Sequence, residues 1–123
     1  MGTDPRTDPR RERGGAGEDA ALAAYVRRGY RSVARNWRCR LGELDLVLAR
    51  GDMLVFCEVK TRRGSAFGGG YEAVTWSKRA KVRTLAEAFL QESRARPGAI
   101  RFDVASVALG PRGPQVELFE DAF

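Results

Sequence analysis

Histidine is absent from the 123 residues. That excludes Ser-His-Asp and Cys-His catalysis, histidine general bases and every histidine-containing zinc site. There are two cysteines, Cys39 and Cys57. They make neither a disulfide framework nor a Cys-x-x-Cys metal knuckle. No apolar run approaches the length of a membrane span, and no basic start leads into an apolar segment. The expectation is a soluble, cytoplasmic chain with no membrane partner. Lysine is scarce, with three against nineteen arginines. Arginine's planar fork grips phosphate with two hydrogen bonds, so a net charge of +6 and a pI near 10 suit a nucleic-acid partner.

Against these absences stand four ionisable side chains in two apolar strings, Gly42-Glu43-Leu44-Asp45 and Cys57-Glu58-Val59-Lys60. Within each pair the spacing is two, which puts both members on one face of a strand. Between the strings, Gly51-Asp52 separates two apolar runs, and glycine at the first central position favours a type II′ hairpin turn. This hinge sets Arg50 opposite Met53. Counting outward sets Asp45 opposite Glu58 and Glu43 opposite Lys60, with opposed Cβ atoms roughly 4.5–5.5 Å apart. Two carboxylates at that distance repel each other unless a cation joins them, and burying them costs more still. Cys57 alternates onto the other face and reads as a small core residue.

Composition predicts a disordered leader over residues 1–15, then one α/β domain over 16–123. A helix is predicted from Ala16 to Arg28, with Leu22, Tyr25 and Val26 as its apolar stripe and Gly29 as its stop. Glu18 shares the inward face, either as a functional acid or as a first-turn partner of the helix dipole. Strands are predicted over 30–38, 43–50, 53–61, 100–109 and 115–119. A second helix, capped by Thr75 and ended by Pro97-Gly98, carries Leu85, Ala86, Phe89 and Leu90 as its buried stripe. Its basic run of Lys78, Arg79, Lys81 and Arg83 is either a solvated face or a phosphate contact surface. The glycine-rich segment Arg62 to Gly70 is either a flap over the site or a plain connector.

An acid, a hairpin and then Glu-x-Lys is the pattern of the PD-(D/E)xK nuclease superfamily. Nearly all of the chain after the leader resembles the YraN-like bacterial family, an uncharacterised group with an endonuclease-like fold similar to archaeal Holliday-junction resolvases. The strings that carry the resemblance are Gly17-Glu18, Ala34-Arg35-Asn36-Trp37-Arg38, Gly42 to Leu46, Leu54 to Arg62, Glu72-Ala73-Val74, Lys78 and Arg101 to Val104. The superfamily's usual proline is replaced by Leu44. The resemblance implies a restriction-endonuclease-like mixed sheet of about five strands flanked by helices. It also implies a Mg²⁺-dependent endonuclease acting on DNA more than RNA, including branched or damaged DNA, with Mn²⁺ as a substitute. Asp45, Glu58, Lys60 and Glu43 would be its catalytic residues. Asp45, Glu58, Glu18 and the carbonyl of Val59 would be its metal ligands. Arg62, Arg63, Lys78, Arg79 and Lys81 are the expected nucleic-acid contacts. Related resolvases are homodimers, so a homodimer is expected too. The alternative is a non-catalytic nucleic-acid-binding module on the same fold.

Overall fold

The structure, a computed structural model, describes residues 9–63 and 76–123, with side chains from residue 15 onward. The expected Thr75 cap and most of the glycine-rich segment lie outside the described residues. Seven elements follow in order: α1 (Pro9–Arg27), β1 (Arg31–Cys39), β2 (Gly42–Arg50), β3 (Met53–Arg63), α2 (Trp76–Ser93), β4 (Ala99–Gly110) and β5 (Gly113–Phe119). They build one five-stranded sheet in the order β1-β2-β3-β4-β5. Only β3 and β4 run parallel, because α2 carries the chain across between them; the other neighbours are antiparallel. This is the mixed, helix-flanked α/β sheet that the residue patterns predict.

The sheet is covered on both faces. Tyr25 and Ala21 of α1 pack on Leu46, Leu48, Val55, Cys57, Ala105 and Val107. On the opposite face Val82, Leu85, Ala86 and Phe89 of α2 pack on Val47, Ala49, Leu54 and Phe56. Successive residues of β3 therefore enter different cores, which explains its unbroken apolar run. Gly17 brings α1 close to β3: a Cβ there would collide with the Thr61 hydroxyl.

Two helix ends differ from expectation. α1 begins at Pro9, inside the stretch read as leader, and proline is tolerated in a first turn, where its missing N–H has no partner to lose. α2 stops at Ser93, short of Pro97, because Arg94 turns left-handed at φ +59° and closes the helix.

A buried polar cluster ties the far ends of the chain together. Asp103 is fully enclosed (0% exposed), beneath α1. It accepts hydrogen bonds from the Tyr25 hydroxyl at 2.7 Å, from Arg101 Nε and Nη2 at 2.8 Å each, and from the Asp121 backbone N–H at 3.0 Å. Arg101 also donates to the Tyr30 hydroxyl at 2.9 Å. A buried carboxylate is tolerated when a guanidinium fork and further donors replace its water. Ala122 N–H donates to the Phe102 carbonyl beside it.

Candidate metal and nucleic-acid site

The hairpin hinge forms as the turn residues require. Gly51 takes φ +58°, Asp52 stays out of the left-handed region, and Arg50 pairs with Met53. The register continues to Leu46–Cys57 and ends there. Asp45–Glu58 and Glu43–Lys60, the next pairings by counting, are not made as ladder pairs. Three local events coincide at this point. Leu44 packs with Val47 on the α2 side although Leu46 lies on the α1 side, so the pleat breaks at Asp45. The Val59 N–H donates to Asp45 Oδ2 at 2.8 Å, so a side chain stands in for a backbone acceptor. On the other side of β2, Asn36 of β1 takes φ +52°. Left-handed backbone is uncommon away from glycine, and asparagine is among the residues that tolerate it best.

These distortions gather the acids. Carboxylate oxygens of Glu18, Glu43 and Asp45 lie within 4.8 Å of one another. Asn36 Nδ2 joins two of them, donating to Glu18 Oε2 at 3.0 Å and to Glu43 Oε1 at 2.8 Å. Arg35 Nε reaches Glu18 Oε1 at 3.4 Å, and its Nη2 donates to the Gly15 carbonyl at 2.8 Å, which ties α1 to β1. Arg38 Nε donates to Glu43 Oε2 at 3.2 Å. Glu43 is thus held from β1, and not by Lys60.

Glu58 is buried (7% exposed), and its Oε1 pairs with Lys78 Nζ at 2.7 Å. Glu43, Asp45 and Glu58 line a cleft of about 370 Å³ closed by Lys78, Lys81, Val82 and Leu85 of α2. Burial first, then the charge of Glu58, pushes the Asp45 carboxyl up to about 8; the Val59 N–H opposes this, while Glu18 and Glu43 add to it. The Glu18 carboxyl is also raised, chiefly by burial, against the lowering by Asn36 and Arg35. Lys78 is raised by its bond to Glu58. Carboxyl groups therefore crowd a partly dry cleft, where burial and mutual repulsion favour a proton on Asp45 at neutral pH. Carboxylate oxygens are hard donors, and this arrangement fits Mg²⁺ or Mn²⁺ and has nothing to offer a soft metal.

Of the residues singled out in the sequence, Glu18, Glu43 and Asp45 meet directly, and Glu58 lies close enough to act on Asp45. Lys60 is half-buried beyond Val59, next to Ser106 of β4. Arg62 and Arg63 are exposed at the end of β3. The basic run of α2 divides: Lys78 holds Glu58, Lys81 lines the cleft, and Arg83 donates to the Phe123 carbonyl at 3.0 Å. Arg79 has a buried Nε without a hydrogen-bond partner. Sequence reasoning missed Asn36 as a member of the site. Its signal was an asparagine in the middle of a strand, where that residue is depleted.

No helix among the described residues is long and apolar enough to cross a membrane. The model of the family described as "Uncharacterised protein family UPF0102" matches residues 17–107. A UPF0102 protein of Rhodococcus opacus (strain B4) is 47% identical over 112 residues, covering 89% of this chain and 94% of the relative. One of Frankia alni is 49% identical over 108 residues, covering 87% and 90%. One of Caldicellulosiruptor saccharolyticus is 38% identical over 116 residues, covering 93% and 98%. The matched segment contains the whole acidic cleft, from Glu18 to Leu85, and the chain belongs to the UPF0102 family.

Proposed function

We propose that this protein is a Mg²⁺-dependent nuclease of the PD-(D/E)xK type that hydrolyses phosphodiester bonds in DNA. The convergence of Glu18, Glu43 and Asp45 at the splayed end of β2 and β3 carries this reading. Asp45, Glu58, Glu18 and the Val59 carbonyl would hold the ion. When bound, Mg²⁺ supplies Lewis acidity to a phosphoryl oxygen and makes water a better nucleophile. The chain's own residues do the remainder. Asn36 keeps Glu18 and Glu43 in place through its two hydrogen bonds. Lys60 orients the attacking water and offsets charge that grows on the phosphate. Lys78 and Lys81 at the cleft, with Arg79, Arg62 and Arg63, bind the flanking phosphates. Free thiols at Cys39 and Cys57 suit a reducing cytoplasm, and we extend the reading to a homodimer.

The test is incubation with linear, flapped and four-way DNA and with RNA, in Mg²⁺, Mn²⁺ or EDTA, beside Asp45→Asn and Lys60→Ala. Metal-dependent cleavage lost in both variants supports the nuclease; cleavage unchanged in both refutes the site. The Glu58–Lys78 ion pair favours a second reading, a non-catalytic nucleic-acid-binding module, because it satisfies one acid without a metal ion. Salt-sensitive DNA binding with no cleavage under any metal would select that reading.

A further inference from the structure

Beside the acidic cleft lies a second depression, of about 410 Å³, formed by the β1–β2 turn and α2. Arg38, Arg40, Leu41 and Lys81 line it, and it shares Gly42, Glu43 and Lys81 with the acidic cleft. The two spaces therefore share a wall, the first lined by three carboxylates and two lysines and the second mainly by cations. Among the described residues one acid, Glu43, borders the basic side, and it is already bonded to Arg38 and Asn36. Among the described residues, Arg40 and Lys81 make no side-chain hydrogen bond or ion pair, and both are exposed. Three cations lining one depression repel one another, and an anion there would relieve that repulsion.

The backbone is shaped for this approach. Gly42 turns at φ +146°, and a Cβ there would stand 3.1 Å from Lys81 Cε and 3.5 Å from Leu85 Cδ1. A side chain at position 42 would crowd the end of Lys81 and be strained by the backbone itself. Leu41, 48% exposed at the tip, offers an apolar contact beside the charges.

We propose that Arg38, Arg40 and Lys81 form a phosphate-binding subsite for the nucleic-acid backbone, adjoining the acidic cleft. The assignment rests on the nucleic-acid reading above and adds a direction to it: the bound strand runs from the β1–β2 turn, past Glu43, into the acids. Arg38 and Arg40 present planar forks to phosphate oxygens, and Lys81 at the shared wall acts as a point charge on the next phosphate. Leu41 lies against the sugar.

The experiment is fluorescence anisotropy of labelled single-stranded and duplex DNA in EDTA, so that no cleavage intervenes, over a salt series. Wild type is compared with Arg40→Ala, Arg40→Glu and Lys81→Ala. Each alanine variant should bind about 3- to 10-fold more weakly and lose about one from the salt slope, with Arg40→Glu weaker again. Arg40→Ala should melt at the wild-type temperature and keep the Mn²⁺-induced shift, since Arg40 touches none of the acids. Wild-type binding with unchanged affinity and salt slope in Arg40→Glu and Lys81→Ala would overturn the subsite and leave the nuclease reading standing. No wild-type binding to any DNA would overturn both.

Discussion

Replacing Asp45 with asparagine should stabilise the metal-free protein and remove its response to divalent cations. Asparagine's Oδ1 can accept the Val59 N–H bond that Asp45 Oδ2 accepts at 2.8 Å, so the backbone has no reason to move. What disappears is a charge that burial and Glu58 oppose. In the unfolded chain the carboxyl titrates near 3.8; in the folded one it is held at about 8. At pH 7 that separation sets a ceiling of about 4 kcal/mol on the cost of keeping an aspartate here, at about 1.4 kcal/mol per tenfold. Water entry and small relaxations around the cleft bring the expected gain to about 1–3 kcal/mol. For a domain of this size that is a rise of about 3–15 °C in melting temperature. The sign with pH follows. A carboxyl raised in the folded state costs nothing below about pH 4, where both states are protonated. Its cost grows as pH climbs towards 8 and is constant above that. Thermal and urea melts in EDTA at pH 4.5 and at pH 8 should therefore diverge between wild type and Asp45→Asn, the variant gaining far more at the higher pH. Saturating Mn²⁺ should close the gap by stabilising wild type alone. A variant less stable than wild type at pH 8, or one that keeps the Mn²⁺ shift, would refute the reasoning.

Asn36→Gly keeps a residue that accepts φ +52° but deletes the bridge between Glu18 and Glu43; a loss of about 1–3 kcal/mol in urea melts is expected, together with a weaker Mn²⁺ response. Asn36→Ala should lose about 1 kcal/mol more, the cost of left-handed backbone for a residue with a Cβ. Gly17→Ala forces α1 off Thr61 and should cost about 1–3 kcal/mol; Thr61→Ala in the same chain should recover part of it, a coupling that a double-mutant cycle measures. Asp103→Ala strips Arg101, Tyr25 and the Asp121 N–H of their shared acceptor, and about 3–5 kcal/mol of unfolding free energy should go with it.

Where local chemistry decided, the residues could be read in advance. Gly51-Asp52 dictates its turn, and the register follows from it as far as Leu46–Cys57. The two-faced burial of β3 is likewise written in its apolar run. The reading stopped at Asp45 because counting assumes that a ladder continues, and here a carboxylate takes the next N–H and the pleat breaks. Glu18 was marked by an acid on an apolar helix face, yet nothing in the chain pairs it with Asn36 across 18 residues. Lys78 reads in sequence as one cation of a run that is either a solvated face or a phosphate contact surface; only the path of α2 over the sheet puts it on Glu58. Arg94 closed a helix in a conformation that glycine would have announced and arginine does not.

The Asp103 cluster has a consequence for how the protein folds. Glu18 and Tyr25 lie seven residues apart on one face of α1, and Tyr25 is fixed by an acceptor whose partners are complete only once Asp121, beyond β5, has docked. The helix that brings the first acid to the cleft is thus locked by a segment that follows it in the chain by the whole sheet. Strands can pair while Glu18 stays unsettled, so the full set of carboxylates comes together only when the segment after β5 is in place.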